Sequence, residues 1–318
     1  MQQYAIRRLI IAVPTILVMS LFVFGILRIL PGDVARLVLG EGEGVRITTT
    51  SLEVIRKELG LDRPLPIQYL KWVWNFVRGD MGRSLTTRRL VTQEILIRIP
   101  FTLQLGVMAI SIGLLVGIPV GIVCAVKQNS WMDYVLRFWS IFFLSAPGFW
   151  LGLMFLLLVV RFFDWSPPVG YSRLWEDPKN NLLQLIWPAM IMGSQSLAFI
   201  ARMTRSSMLE VIREDYIRTA RAKGLAEQVV IMRHALKNAL IPIVTVAGTS
   251  LGHTLGGTVI MEQIFNIPGM GRLFLTALLT RDYTVIQGVV MLTATGFVII
   301  NLLVDLLYGW LDPRISYT

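Results

Sequence analysis

The sequence predicts an all-α membrane protein with six transmembrane helices and a small external domain between the first two. Three observations predict it. The chain is 54% hydrophobic and only 16% charged, with mean hydropathy +0.64, where a soluble domain carries about 25% charged residues. The deficit is concentrated in long uncharged runs rather than spread along the chain. The alternation of apolar and polar residues that marks a membrane barrel is absent.

A helix rises about 1.5 Å per residue and needs roughly 20 apolar residues to cross the hydrocarbon core. The runs that meet or approach this are Leu9–Leu27, Phe101–Val126, Phe138–Val160, Leu182–Ala201, Asn238–Met261 and Tyr283–Val304. Backbone amides inside a bilayer must be satisfied within their own segment, so each run is expected to be helical. Pro14, Pro119, Pro147, Pro188, Pro242 and the group Gly252, Gly256, Gly257 lie within them. Such residues permit kinks and close packing in membrane helices. Arg7 and Arg8 precede the first run, as in a secretory signal. But the run is 19 residues long, beyond the 7–15 of a signal core, and Arg28-Ile29-Leu30-Pro31-Gly32-Asp33 follows instead of a cleavage site. It reads as a retained first span.

Direction follows from Lys and Arg beside the spans. Arg7 and Arg8 place the N-terminus inside, and six spans then place the C-terminus inside too. Arg202 to Lys237, between the fourth and fifth spans, holds eight Lys or Arg against four Asp or Glu and also falls inside. Pro31 to Pro100 falls outside; although basic, it is too long for the charge rule to bind. Ser51 to Gly60 reads as a short helix with Leu52, Ile55 and Leu59 on one face. Tyr69, Leu70, Trp72, Val73, Phe76 and Val77 suggest a second, with Trp72 and Trp74 at the membrane surface. The chain thus divides into residues 1–30 (N-terminus and first helix), 31–100 (external domain) and 101–318 (five-helix core), with a cytoplasmic loop at 202–240.

That loop carries the strongest functional signal. In Glu214, Asp215, Tyr216, Ile217, Arg218, Thr219, Ala220, Arg221, Ala222, Lys223, Gly224 and Leu225, helical rhythm ends on a glycine. Met208, Ile212, Tyr216 and Ala220 fall at four-residue spacing on one face. Gly224 stands where a helix-terminating glycine belongs, with Leu225 placed for the following apolar contact. A second helical run, Ala226 to Leu240, leads into the fifth span. Small residues let another surface approach, and flanking charges can pair with it; such a helix suits a partner's groove, and its tethering to two spans suits transmission of motion. The alternative is a basic loop that only sets topology. A DNA-reading helix pair is disfavoured by the tethering at both ends, so the net charge of +10 and pI of about 10.1 are attributed to cytoplasmic loops rather than to nucleic acid.

Little points to catalysis. The two histidines, His234 and His253, form no His-Glu-x-x-His pattern, and there is no phosphate loop, so ATP chemistry would have to come from another chain. Cys124, the single cysteine, reads as a small buried apolar residue. His253, Gln195 and Asn301 are polar groups within spans. They are either helix-packing groups or candidates for lining a pathway, as is Gln287; Asp305 sits near a span end.

The stretch Glu214 to Leu225, followed by Arg233-His-Ala-Leu-Lys-Asn-Ala-Leu-Ile-Pro242, resembles the cytoplasmic loop of ABC importer permeases of the dipeptide/oligopeptide type. Arg218 stands where the general loop pattern of ABC importers has Glu. Pro31-Gly32-Asp33, Leu59-Gly-Leu-Asp-Arg-Pro64, Gly79-Asp-Met-Gly-Arg-Ser84, Phe265-Asn-Ile-Pro-Gly-Met-Gly-Arg272 and Asn301-Leu-Leu-Val-Asp-Leu-Leu-Tyr308 resemble the same family, and the external domain resembles that of its first permease subunit. The resemblance implies a type I ABC importer permease in the cytoplasmic membrane that pairs with a second permease. Two ABC ATPases, which bind the ATP and Mg, would dock on Glu214–Leu225, and an external binding protein would deliver peptide. It implies no catalytic residue, metal or cofactor in this chain. Nickel complexes, glutathione or sugars are alternative cargoes. A stand-alone channel or ion-coupled carrier and an intramembrane enzyme are the readings from outside the family; the first would show ionisable residues paired across spans, the second a catalytic pair.

Overall fold

A computed structural model describes residues 2–29, 62–164, 166–168 and 170–311. The expected Ser51–Gly60 helix and the Pro31-Gly32-Asp33 motif lie outside these residues. Among them every named element is a helix, and one isolated bridge joins Arg83 and Leu90. The helices are α1 (Gln2–Ile29), α2 (Leu65–Val77), α3 (Val91–Val126), α4 (Trp131–Ser145), α5 (Gly148–Phe163), α6 (Pro178–Ile212), α7 (Asp215–Ala222), α8 (Leu236–Ile264), α9 (Met270–Leu279) and α10 (Tyr283–Leu311). A single turn, Glu227–Val229, and a π-helical stretch, Val230–Ala235, lead into α8.

Four of these helices are long and apolar enough to cross a membrane: α1, α3, α6 and α10. The third expected span, Phe138–Val160, is not one rod. It is the pair α4 and α5, bent by 104°. Pro147 supplies the reason. A residue before proline is pushed out of the α region, and Ala146 has φ −74° and ψ 129°. The fifth expected span, Asn238–Met261, lies in α8, where the side chains of residues 244–247 and 249–257 are outside the described set. The helices of the second and fourth expected spans overrun their apolar runs: α3 begins at Val91, ahead of Phe101, and α6 continues to Ile212, past Ala201.

Two compact units are present, one built around Pro100–Gly269 and the other around Ile6–Ile99 with Met270–Ile299. In the second unit α2 lays its aromatic residues on α1. The Ser20 and Tyr69 hydroxyls are 2.7 Å apart, and the Phe24 ring meets Tyr69 at 5.5 Å and Trp72 at 5.9 Å. The Gly79–Ser84 motif forms a tight loop with Gly79 and Gly82 both at positive φ. The Ser84 hydroxyl then donates to Asp282, whose carboxylate also accepts from the Val285 amide at 3.2 Å at the start of α10.

In the first unit one cluster joins Phe101, Leu105 and Ala109 of α3 to Leu185, Ala189 and Met192 of α6 and to Met261 and Phe265. The contact of α3 with α6 runs on glycine. Gly113, Gly117 and Gly121 recur every fourth residue, the spacing that lets membrane helices approach closely. A Cβ at these positions would stand 2.8 Å from Ser196 Cβ, 2.9 Å from the Leu197 carbonyl and 2.4 Å from Thr204 Cβ, respectively.

Candidate functional site

The loop between the fourth and fifth expected spans folds as a short helix on a hydrophobic seat. α6 ends at Ile212, Arg213 and Glu214 form a break, and α7 restarts at Asp215. The break alters the helical phase. Met208 is fully buried and Ala220 is 8% exposed, as their four-residue spacing predicts, but Tyr216 is 42% exposed and Ile217 takes the inward place at 0%. The expected single face through Met208, Ile212, Tyr216 and Ala220 is therefore corrected at Tyr216. Ile217 and Ala220 pack with Ala125 of α3, Met208 of α6 and Val230, Ile231, Ala235 and Ala239 of the following run. Tyr216 turns outward, and its hydroxyl accepts from Asn238 Nδ2 at 2.7 Å.

The helix ends as its glycine requires. Gly224 has φ +76°, a conformation costly for any residue with a Cβ. Its amide donates to the Arg221 carbonyl at 2.9 Å, and the Leu225 amide donates to the Ala220 carbonyl at 3.4 Å. This is the Schellman pattern, which satisfies the last carbonyls of a helix. Glu214, Asp215, Arg218, Thr219, Ala222 and Lys223 are exposed with the turn.

Two of the flanking charges are already engaged inside the loop. Arg221 clasps Glu227 with Nη2–Oε1 at 2.6 Å and Nε–Oε2 at 3.1 Å. The guanidinium holds the Glu227 carboxyl below its usual range, and Glu227 raises Arg221 in turn. A depressed carboxyl contributes above its ordinary range and loses that contribution as pH falls through its folded value. Both groups are more than a third exposed, so the pair is worth at most about 1 kcal/mol. Arg218 reaches Asp215 at 3.3 Å on the surface.

Beside this seat the start of α4 is fastened to the C-terminal part of α6 by a buried ion pair that the sequence reading lacked. Asp133 of α4 is 0% exposed and accepts from Arg205 Nε and Nη2, both at 3.0 Å, and from the Asn129 amide at 3.0 Å. Arg137 Nε lies 3.2 Å away without hydrogen-bond alignment. Half of this was visible in Ser130-Trp-Met-Asp133, a capping pattern in which the Ser130 hydroxyl accepts from the Asp133 amide at 3.3 Å. A second missed acid is Glu262, fully buried and accepting from the Thr102 hydroxyl at 2.7 Å. The rule that ionisable groups within membrane helices mark specialised positions would have found it.

The pathway candidates part company. Gln195 Nε2 donates to the Ala146 carbonyl at 3.1 Å, so its amide satisfies a backbone acceptor at the α4–α5 break. Asn301 is half-buried in α10, and His253 lies in α8 with its side chain outside the described residues. Gly248-Thr249-Ser250-Leu251-Gly252 spells the Gly-x-Ser-x-Gly of a hydrolase elbow, but the backbone there is continuous helix. An elbow needs a strand-to-helix turn.

Comparison with known proteins covers the whole chain. The family described as binding-protein-dependent transport system inner membrane component matches residues 117–317, and its N-terminal companion matches residues 1–106. The dipeptide transport system permease protein DppB of Escherichia coli K12 is 41% identical over 340 residues, covering 100% of this chain and 99% of that protein. DppB of Alkalihalophilus pseudofirmus is 40% identical over 341 residues and fully covered in both directions. The glutathione transport system permease protein GsiC of Pectobacterium atrosepticum is 40% identical over 317 residues, again fully covered. Among solved structures, the inward-facing MetNI methionine ABC transporter aligns with TM-score 0.55 and 18% identity, over 76% of this chain and 98% of that one. That likeness shows the fold alone, the type I ABC importer permease architecture.

Proposed function

Because the chain belongs to the family of binding-protein-dependent transport system inner membrane components, we propose that it is the multi-pass permease subunit of an ATP-driven importer of short peptides. The observation that carries the peptide reading is the end-to-end similarity, at 40–41% identity, to two dipeptide permeases and a glutathione permease. The two dipeptide permeases carry that reading, and the glutathione permease matches the alternative cargo, itself a tripeptide. We further propose that a second permease completes the pathway, that two ATPases supply ATP and Mg chemistry, and that an external protein delivers cargo. The ATPases dock on Glu214–Leu225. Support comes from the exposed outer face of α7, seated by Ile217 and Ala220 on the ends of α3, α6 and α8. A push on that face is transmitted to packed helices rather than absorbed by a slack loop. The same orientation keeps both termini cytoplasmic and residues 31–100 outside.

The test is mass spectrometry of what co-purifies with the tagged full-length chain in mild detergent. A P-loop ATPase and a second permease are the expected companions. Recovery of the chain alone, together with peptide flux in ATP-free liposomes, would establish a self-sufficient carrier instead.

A further inference from the structure

A cavity of 530 Å³ opens between α3, α4 and α6, apart from the α7 seat. Its chemistry is graded. At one end stand Arg137, Arg202 and Arg205; further along lie Ile141, Leu144 and Phe199. The two bordering helices agree on the gradient although they run in opposite directions. Leu144 follows Arg137 by seven residues on α4, and Ala198 precedes Arg205 by seven on α6, each about 10 Å of helix. Asp133 pairs with Arg205 and Arg137 and the residues lining the cavity include no acid, so three guanidiniums stand against one carboxylate, an excess of two positive charges. Asp133 draws on Nε and Nη2 of Arg205, which leaves Nη1 outside that clasp, and the buried Nε of Arg137 has no hydrogen-bond partner. Trp131 and Tyr134, 79% and 56% exposed at the start of α4, are the residue types that settle at a membrane–water boundary. In a membrane-spanning chain they suit the cationic end to headgroup depth.

We propose that this cavity binds an anionic phospholipid, with the phosphate among Arg137, Arg202 and Arg205 and an acyl chain along Ile141 and Leu144. Basic pockets between helices at the membrane surface suit such headgroups, and the apolar continuation distinguishes a lipid from a free anion. Which leaflet supplies it rests on the orientation proposed above. Because Arg205 borders the cavity, is held by the buried Asp133 and lies on α6, which leads to the α7 loop, a bound lipid would brace the helix ends on which that loop sits.

The full-length chain in an uncharged detergent is titrated with phosphatidylglycerol, phosphatidylcholine of the same acyl chains, or inorganic phosphate, and bound lipid is counted by native mass spectrometry. Phosphatidylglycerol should be retained over phosphatidylcholine. Arg202→Gln, which leaves the buried Asp133 pair intact, should weaken phosphatidylglycerol about fivefold, the effect of one cation near a membrane surface, and leave phosphatidylcholine unchanged. Leu144→Trp, which fills the apolar end, should also reduce phosphatidylglycerol. Equal retention of the two lipids, displacement by inorganic phosphate at matching concentration, or wild-type binding by both variants would each overturn the proposal. The measurement needs neither ATPase nor cargo, so a failure of the importer reading would register separately, as a chain that purifies without an ATPase.

Discussion

Substituting one glycine tests whether the α3–α6 contact is set by backbone proximity. An alanine at Gly121 would place Cβ 2.4 Å from Thr204 Cβ and 2.6 Å from the Ala201 carbonyl oxygen. Carbon atoms in ordinary contact sit about 3.5–4.0 Å apart, so the helices must separate by on the order of 1 Å. The obstacle includes backbone, which no rotamer change removes. Overpacking of this kind costs about 1–3 kcal/mol. The control is Gly25→Ala, also within a membrane helix, where a Cβ would meet nothing within 4 Å. Both changes share the helix-propensity gain of Gly→Ala, up to about 1 kcal/mol, so their difference isolates the steric term. Reversible unfolding in mixed micelles should find Gly121→Ala less stable than Gly25→Ala by about 1–3 kcal/mol. Equal stability would show that the glycine stripe does not set the distance between the two helices.

Asp133→Ala should destabilise the chain by about 3–5 kcal/mol, because it leaves Arg205 uncompensated in a buried site. The double variant Asp133→Ala with Arg205→Leu should recover most of that loss in the same unfolding measurement, and a double variant as unstable as the single would refute this account. Gly224→Val adds no clash, since nothing lies within 4 Å of its Cβ position, but it forces a β-branched residue to φ +76°, at a cost of about 1–2 kcal/mol. ATPase capture should fall with membrane insertion intact, and Gly224→Asn, which tolerates that conformation better, should capture more. Arg221→Glu with Lys223→Glu should lower capture by charge reversal. The swap Arg221→Glu with Glu227→Arg restores the internal clasp while reversing its order. Full recovery in the swap would assign Arg221 to bracing the turn, and continued loss would assign it to the partner.

How far the sequence was legible depended on the range of each interaction. The spans at α1, α3, α6 and α10 could be read because membrane burial imposes a local composition. The Gly224 terminus could be read because its Schellman bonds close within six residues, from Ala220 to Leu225. Pro147 signalled a kink within one span, not a break of 104° between two helices, which depends on what packs around it; the Gln195 amide that satisfies the Ala146 carbonyl comes from 49 residues away. Asp133 could be seen as half of a cap, whereas its partner Arg205 is 72 residues distant. Gly113, Gly117 and Gly121 were visible as a four-residue repeat, but only the fold reveals that α6 occupies the groove. The inward turn of Ile217 in place of Tyr216 was hidden in the break at Arg213 and Glu214, which no periodicity carried across it could place.

On the ATPase docking proposed above, that break decides how a load on the loop would enter the chain. Had α6 continued through Glu214, a load on the loop would have passed along one rod into one helix. With α7 restarted as a separate eight-residue helix, the load instead enters a cluster shared by residues of α3, α6, the π-helical stretch and α8. Packed side chains resist compression, so these elements move together, while the regular hydrogen-bond ladder is relaxed at Val230–Ala235, where the backbone is π-helical. π-Helical segments are rare and recur at functional positions. Here one forms part of the cluster under α7 and runs directly into α8.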